Sequence, residues 1–197
     1  MSAGQVLHPA VFLDRDGTLT VESEWVRSGQ DLVLVPGAAE AILHLARAGF
    51  AVVLVTNQSA VARGIVTEAE LAGIHAHFAA LLAERGARLD AVYHCPHHPT
   101  EGVGAWKIEC ACRKPAPGML LDAARDLGLD LARSWIVGDA LRDLEAGWSA
   151  GARAVLVATG KGTREHAAAL AKGRAPDAFV PDVLAAARWI VEHTQGR

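Results

Sequence analysis

Two aspartates separated by one residue follow the first apolar run of the chain. In the stretch "VFLDRDGTLT", Asp14 and Asp16 flank Arg15, and Gly17 comes next. Crowded carboxylates repel one another unless a proton or a cation joins them. Magnesium prefers carboxylate oxygens together with water and phosphate oxygens. The pair therefore indicates a metal-assisted site at the end of a buried strand, where Gly17 permits a sharp turn.

Other polar residues also follow apolar runs. Thr56 lies in "FAVVLVTN", Asp139 ends "SWIVGD", and Lys114 precedes a proline in "CRKPAPG". We predict that the carboxylates of Asp14, Asp16 and Asp139 meet at one edge of a sheet. Thr56 and Lys114 would offer that edge a hydroxyl and a cation suited to an anionic oxygen. Taken alone, Asp139 could instead cap a helix.

The pattern of apolar runs predicts an α/β fold. Five runs read as strands buried on both faces, because they do not alternate with polar residues. They are "PAVFLD", "FAVVLVTN", "LDAVYHC", "SWIVGD" and "ARAVLVATG". Alanine- and leucine-rich helices separate them, and Thr67 with Glu70 predicts a capping box. Strand and helix in alternation imply a Rossmann-like parallel sheet with helices on both faces, whose ligands bind at the carboxyl ends of the strands.

All three cysteines lie in one loop. Cys95 and His97 are followed, after twelve intervening residues, by Cys110 and Cys112. Two close pairs of thiolate and imidazole ligands make a closed tetrahedral set of the kind that zinc takes. His98 is the rival ligand to His97. The cysteines therefore predict a zinc-stapled loop over residues 95–112 rather than a disulfide framework.

Composition limits the classes of function. The 197 residues are 51% hydrophobic and carry a formal charge of −3, which fits one domain over residues 1–197 without a large cap domain. A flap over residues 19–36 and the zinc loop would be the only covers of the pocket. The charge gives no reason to expect nucleic acid or a membrane as partner. With no apolar run that could span a bilayer and no secretion signal, we expect a cytoplasmic protein.

The ordered set "DRDGT", "VTN", lysine before proline and "VGDALRD" resembles the haloacid dehalogenase superfamily of phosphatases. The resemblance implies that Asp14 attacks phosphorus and forms an aspartyl phosphate, and that Asp16 shuttles the proton. It assigns Mg²⁺ to Asp14, the backbone carbonyl of Asp16 and Asp139. Thr56 and Lys114 would hold the phosphoryl oxygens. Asp143 would not bind the magnesium directly but would orient a water molecule bound to it.

The loop narrows the resemblance. "TNQS", "ARG", "CPHHP" and "CRKP" are similar to the D-glycero-D-manno-heptose 1,7-bisphosphate phosphatases and the related histidinol-phosphate phosphatases. This resemblance implies a structural zinc held by Cys95, His97, Cys110 and Cys112. Its implied substrate contacts are Glu22, Ser23, Glu24, Trp25, Asn57, Gln58, Ser59 and Arg113.

The chain departs from the heptose-type pattern at Ala140, where a lysine that touches substrate is expected, which puts a second substrate phosphate in doubt. Arg15 is expected to turn away from the two acids, toward the surface, the flap or the substrate. The expected substrate is a small sugar phosphate, most simply heptose 1,7-bisphosphate cleaved at C7. Histidinol phosphate, a polynucleotide 3′-phosphate and a non-catalytic phosphate-binding module are the alternatives. The superfamily resemblance permits a monomer.

Overall fold

Six segments form one parallel sheet in the computed structural model, which describes residues 7–194. The strands are β1 (Ala10–Leu13), β2 (Ala51–Asn57), β3 (Ala91–Cys95), β4 (Trp135–Gly138), β5 (Arg153–Val157) and β6 (Ala178–Val180). They are ordered β3-β2-β1-β4-β5-β6, and all five neighbouring pairs are parallel. The predicted Rossmann-like sheet is confirmed.

Within residues 7–194, seven α-helices lie between the strands or after the last of them. They are α1 (Ala38–Arg47), α2 (Ser59–Ala62), α3 (Glu68–Ala83), α4 (Gly118–Leu127), α5 (Leu141–Ala150), α6 (Gly162–Ala171) and α7 (Val183–Thr194). Helices α1, α3 and α7 contribute to the core on one face, whereas α4, α5 and α6 pack on the other. Short 3-10 turns cover residues 29–31, 104–106 and 131–133.

The two cores follow from the alternation of side chains along each strand. In β1, Val11 and Leu13 join the core on one face, and Ala10 and Phe12 join the core on the other. All four are fully buried, because helices cover both faces of this central strand. Such strands carry no polar residue until they end, and this confines the polar side chains of the strands to their tips.

The sequence analysis is incomplete at the two edges of the sheet, where one predicted strand is less buried than expected and two elements are not predicted. Strand β3 is half-buried rather than buried on both faces, and Val92 is 39% exposed, since an edge strand has a neighbour on one side only. The sequence predicts neither α6 nor β6. Strand β6 has three residues, and α6 buries only Gly162 and Ala169, so neither leaves a long apolar pattern.

The predicted capping box of α3 is confirmed. The Thr67 hydroxyl accepts from the backbone N–H of Glu70 at 3.1 Å, and the Glu70 carboxylate accepts from the N–H of Thr67 at 2.7 Å. None of the helices described is long and apolar enough to cross a membrane. Within residues 7–194, the chain between β1 and α1 carries only a short 3-10 turn, so no large domain is inserted there.

Two helical glycines give a matched test of the packing between α5 and β4. A Cβ atom at Gly147 would overlap Cγ2 of the buried Ile136, whereas one at Gly73 in α3 would meet nothing within 4 Å. We expect Gly147→Ala to lower the free energy of unfolding by about 1–3 kcal/mol, because the core there is filled. The control Gly73→Ala should raise it by about 0.5–1 kcal/mol. Urea unfolding measures both, and equal effects would contradict this packing.

Candidate active site and cysteine cluster

The site lies at the carboxyl ends of the strands. Asp14 follows β1, Thr56 lies at the end of β2, Cys95 ends β3, and Asp139 follows β4. Parallel register places these ends side by side, with Leu13 opposite both Leu54 and Val137 and Asn57 opposite Cys95. The predicted rim therefore exists, and the loops that extend from it decide which side chains meet.

Lys114 joins two carboxylates in the interior. Its Nζ lies 2.9 Å from Oδ1 of Asp14 and 2.7 Å from Oδ1 of Asp143, and it donates to the carbonyl of Val55 at 2.7 Å. Lys114 is 2% exposed, Asp14 3% and Asp143 0%. Buried ions need such pairing, since removing one partner leaves the other charge desolvated and alone.

The pairing sets the protonation states at the centre of the site. Burial would raise the pKa of Asp14, but the charges of Lys114 and then of Arg142 outweigh it and lower that pKa. Burial would lower the pKa of Lys114, and the charges of Asp14 and Asp143 instead raise it. Asp14 is therefore an ionised carboxylate next to an ammonium group, which leaves its second oxygen available as a nucleophile or a metal ligand.

Three carboxylates form a group that can hold a metal ion. Oxygens of Asp14, Asp139 and Asp143 all lie within 4.8 Å of one another. Oδ2 of Asp139 accepts from the backbone N–H of Lys161 at 2.8 Å, whereas its Oδ1 is buried and has no hydrogen-bond partner. Burial, and then the charges of Asp14 and Asp143, raise the pKa of Asp139 to about 7. A set of hard oxygen donors with an orphaned buried oxygen fits Mg²⁺.

Gly17 permits the close approach of the loop to this group. Its φ is +84°, and a Cβ atom there would overlap the carboxylate of Asp139. Only glycine therefore combines that backbone conformation with the space that is available. The sequence identified Gly17 as a turn residue, and the structure adds the steric reason.

The carboxylate of Asp16 does not join the metal group, in contrast to the expected meeting of Asp14, Asp16 and Asp139. Asp143 completes the group instead, and Asp16 pairs with Arg15. Nε and Nη2 of Arg15 donate to the two carboxylate oxygens of Asp16 at 2.9 and 3.0 Å. Arg15 is 1% exposed, so the expectation that it turns away from the acids is wrong. Strand alternation does not apply beyond Leu13, where the chain turns and the carbonyl of Arg15 accepts from three following N–H groups.

Gln58 extends this network to Thr56. Its amide oxygen accepts from Arg15 at 3.0 Å, and its Nε2 donates to Asp16 and to the Thr56 hydroxyl, both at 2.9 Å. Thr56 therefore accepts from Gln58 and keeps its own hydroxyl proton to donate. Three sequence-predicted residues, Asp16, Thr56 and Gln58, thus lie in one network that fixes their orientations.

Asn57 has a role that sequence reasoning did not assign. Its Nδ2 donates to the carbonyl of Lys114 at 3.0 Å, and its Oδ1 accepts from the N–H of Lys114 at 3.1 Å. These two bonds fix the backbone of Lys114 against the end of β2. Asn57 was expected to contact substrate; it borders the pocket, but both atoms of its amide group bind Lys114.

A pocket of about 220 Å³ opens above this network. All eight residues that were predicted to bind substrate line it. The full lining is Arg15, Asp16, Glu22, Ser23, Glu24, Trp25, Val26, Asn57, Gln58, Ser59, Ala60, Arg113, Arg142 and Lys161. Asp14, Thr56, Lys114 and Asp139 do not line the pocket, and each is at most 3% exposed. The lining itself combines acids with four cations, which are Arg15, Arg113, Arg142 and Lys161.

Sequence reasoning missed Arg142 and Lys161. Lys161 pairs with Glu22 of the flap. Burial would lower the pKa of Arg142, but the charges of Asp143 and then of Asp14 outweigh burial and raise that pKa. Lys161 follows β5, so the strand-end rule would have found it had it been applied to that strand. Arg142 lies in the first turn of α5. Its place in a helix, next to Asp143, offers no sequence pattern that would have predicted a pocket residue.

Arg113 connects the pocket to the cysteine loop. Its Nη1 donates to the carbonyl of His97 at 2.9 Å. Burial lowers the pKa of Arg113. Cys95 and Cys110 would raise this pKa, whereas the positive charge of Arg142 lowers it further. The two guanidinium groups are therefore close enough to repel each other across the pocket wall.

The cysteine loop gathers four potential ligands. Cys95 Sγ lies 3.5 Å from Cys110 Sγ and 3.7 Å from His97 Nδ1, and Cys112 Sγ lies 3.3 Å from Cys110 Sγ and 3.4 Å from His97 Nδ1. Four ligands around a tetrahedral zinc would stand about 3.5–3.8 Å apart, given metal distances of about 2.0–2.3 Å. The donor set and its spacing fit zinc.

His98 lies outside this group. Its Nδ1 accepts from the N–H groups of Thr100 and Glu101 at 3.4 and 3.1 Å, and its Nε2 faces the Glu101 carboxylate at 3.5 Å. Glu101 also pairs with Arg63, which stacks over the flap residue Trp25 at 5.1 Å. The imidazole of His98 thus connects the loop to the flap, while that of His97 faces the thiols.

Comparisons with known proteins agree with the geometry. Residues 111–186 match the family described as HAD-hydrolase-like. The D-glycero-beta-D-manno-heptose-1,7-bisphosphate 7-phosphatase of Photorhabdus laumondii is 46% identical over 155 residues, which is 78% of this chain and 82% of the relative. The chain belongs to this phosphatase family. The Escherichia coli K12 member is 45% identical over 154 residues, covering 78% and 81% of the two chains.

Solved structures of heptose bisphosphate phosphatases share the fold. The D,D-heptose 1,7-bisphosphate phosphatase of B. bronchiseptica, complexed with magnesium and phosphate, is 40% identical with a TM-score of 0.80 over 94% of this chain and 99% of that one. The enzyme of Burkholderia thailandensis is 34% identical with a TM-score of 0.67, covering 93% and 98%. The chain is therefore a HAD-like phosphatase with the sheet of that family.

The raised pKa of Asp139 predicts a pH-dependent stability of the metal-free protein. A carboxyl group with a pKa of about 7 in the folded state favours folding while it is protonated, and this contribution is lost as pH rises from about 4 through 7. We expect Asp139→Asn to raise the free energy of unfolding at pH 8 in EDTA, by up to about 4 kcal/mol for a shift of roughly three units.

At pH 3 the same substitution should have little effect, because the carboxyl group is then mostly protonated in both states. Urea unfolding at the two pH values measures the difference. An Asp139→Asn variant that is equally or less stable than the wild type at pH 8 would contradict the raised pKa.

Proposed function

We propose that this protein is a magnesium-dependent phosphomonoester hydrolase that removes the C7 phosphate of D-glycero-D-manno-heptose 1,7-bisphosphate. One observation carries the proposal: Asp14, which is paired with the buried Lys114, lies together with Asp139 and Asp143 in a group that can hold a metal ion. The names and the high identity of the relatives support this choice of substrate. Residues 1–197 would form one HAD-like phosphatase domain, of which residues 1–6 and 195–197 lie outside the described part.

Asp14 would act as the nucleophile. An oxygen of its carboxylate attacks the C7 phosphorus in line, the bond from phosphorus to the sugar oxygen breaks, and an aspartyl phosphate forms. Lys114 neutralises the remaining carboxylate oxygen and keeps Asp14 ionised at neutral pH. This fits the known logic of phosphoryl transfer, in which positioning and charge neutralisation supply most of the rate.

Asp16 would move the proton. In its protonated form it gives that proton to the departing sugar oxygen, and as a carboxylate it then takes one from the water that hydrolyses the aspartyl phosphate. Arg15 and Gln58 hold its two oxygens, so the group is oriented throughout. The Thr56 hydroxyl, which accepts from Gln58, would donate to an oxygen of the phosphoryl group.

Magnesium would be held by Asp14, the backbone carbonyl of Asp16 and Asp139, with Asp143 behind them, and would supply positive charge that offsets the charge gathering on the phosphoryl oxygens. The orphaned Oδ1 of Asp139 supports this assignment. The protein's part is to arrange those oxygens: Gly17 lets the loop approach, and Lys161 fixes one Asp139 oxygen through its N–H.

A structural zinc would be held by Cys95, His97, Cys110 and Cys112. Its consequence for the site comes through the next two residues, because Arg113 borders the pocket and Lys114 holds Asp14. Holding Cys112 in place would fix the start of that segment, and the bonds of Asn57 to Lys114 would fix its end. We place the enzyme in the cytoplasm, as a monomer acting on a small sugar phosphate.

Asp14→Asn should remove turnover while leaving the protein folded. The amide is isosteric but is a poor nucleophile, so we expect kcat on heptose 1,7-bisphosphate with Mg²⁺ to fall by at least about 10³-fold, or more than about 4 kcal/mol. Phosphate release measures the rate, and circular dichroism checks the fold. Wild-type activity in this variant would exclude Asp14 as the nucleophile.

The same assay tests the substrate. Wild-type protein should hydrolyse both anomers of the bisphosphate and histidinol phosphate with unequal kcat/KM, with one anomer of the bisphosphate the best of the three. If kcat/KM is higher for histidinol phosphate, histidinol phosphate is the substrate instead. Activity that is present with Mg²⁺ and lost when EDTA is added would agree with the magnesium requirement.

Elemental analysis should find one zinc ion per chain. We expect His97→Ala to lose that zinc and to unfold at a lower temperature, because structural zinc contributes directly to the stability of the loop. The neighbouring variant His98→Ala is the matched control and should keep one equivalent. Zinc retained by His97→Ala but lost from His98→Ala would make His98 the ligand. A wild-type protein without zinc would contradict the zinc site itself.

A further inference from the structure

Arg142 has an unusual environment for a partly buried cation. Its guanidinium lines the pocket, its Nε is buried without a hydrogen-bond partner, and within residues 7–194 it forms no hydrogen bond or close ion pair. A buried guanidinium N–H without an acceptor loses its bond to solvent, and the nearby charges of Asp143 and Asp14 do not replace that bond. A ligand in the pocket that supplies an acceptor would offset this cost.

The other cations of the pocket are engaged. Arg15 binds Asp16 and Gln58, and Lys161 pairs with Glu22. Arg113 binds the neutral carbonyl of His97, so it keeps its full positive charge near that of Arg142. Two guanidinium groups on one pocket wall repel each other, and an anion between them would turn that repulsion into attraction.

The residues that would handle the reacting phosphoryl group differ from Arg142 in exposure. Asp14, Lys114, Thr56 and Asp139 are almost fully buried and do not line the pocket, whereas Arg142 is partly exposed in its lining. Arg142 stands on the wall with the flap residues Glu24 and Trp25, where the rest of a substrate has to lie. Guanidinium is suited to this task, because its planar fork binds two phosphate oxygens at once.

We propose that Arg142 binds the phosphate that is not cleaved and so makes the enzyme selective for a bisphosphate. This inference rests on the proposed function and adds to it a residue that sets specificity. It also resolves the doubt that Ala140 raised: Ala140 is 1% exposed and carries no charge, but the same helix turn presents a cation two residues later.

The test compares two substrates that differ only in that phosphate, heptose 1,7-bisphosphate and heptose 7-phosphate. For Arg142→Gln, we expect kcat/KM on the bisphosphate to fall by about 10- to 100-fold, mainly through KM, since a charge-assisted hydrogen bond is lost. On the 7-phosphate the change should stay below about 3-fold. Arg142→Lys keeps the charge without the fork and should recover part of the loss.

Arg125→Gln is the matched control, because Arg125 is an exposed residue of α4, outside the pocket lining, that pairs with Asp122 and Asp126. It should leave both substrates unchanged, and thermal unfolding of every variant checks the fold. Arg142 also lowers the pKa of Asp14, but that effect acts on both substrates equally and cancels in their ratio.

Three outcomes would overturn the inference. Equal losses on both substrates would assign Arg142 to the reacting phosphate, and no loss on either would remove it from binding; in both cases the proposed function stands. A wild-type protein that hydrolyses neither heptose phosphate with Mg²⁺ would overturn the proposed function, and the inference would fall with it.

Discussion

The site depends on one buried ammonium group. Nζ of Lys114 has three oxygen neighbours: it donates to the carbonyl of Val55 and forms ion pairs with Asp14 and Asp143. These partners come from the turn after β1, from α5 and from β2, so a single group ties three elements together. An uncompensated charge at this depth would be costly. The arrangement of the acids therefore follows from electrostatics as much as from the backbone.

The sequence predicts the parts of the site that obey simple rules. Parallel strands bring their carboxyl ends to one edge, and this locates Asp14, Thr56 and Asp139. Local chemistry also suffices for the capping box of α3. The rules fail where the chain leaves a strand: Arg15 lies in a turn and points to Asp16, and Arg142 enters the pocket from a helix. Such directions are set by tertiary packing, for which a single sequence carries no periodic signal.

The cysteine cluster and the pocket share one short segment of chain. Cys112, Arg113 and Lys114 are consecutive, so the position of one constrains the other two: a thiol of the cluster, a cation of the pocket lining and the partner of Asp14. The carbonyl of His97 binds Arg113, and Asn57 binds the backbone of Lys114 at both its N–H and its carbonyl. The position of the cysteine loop therefore affects the position of Lys114, because the two are joined by consecutive residues.

Strand order has a mechanical consequence. With β1 at the centre, Thr56 and Asn57 come from one half of the sheet, and Asp139 and Lys161 come from the other. A phosphorylated ligand seated over Asp14 would contact loops from both halves at once, on either side of β1. Its binding would therefore stabilise the folded protein by joining those loops.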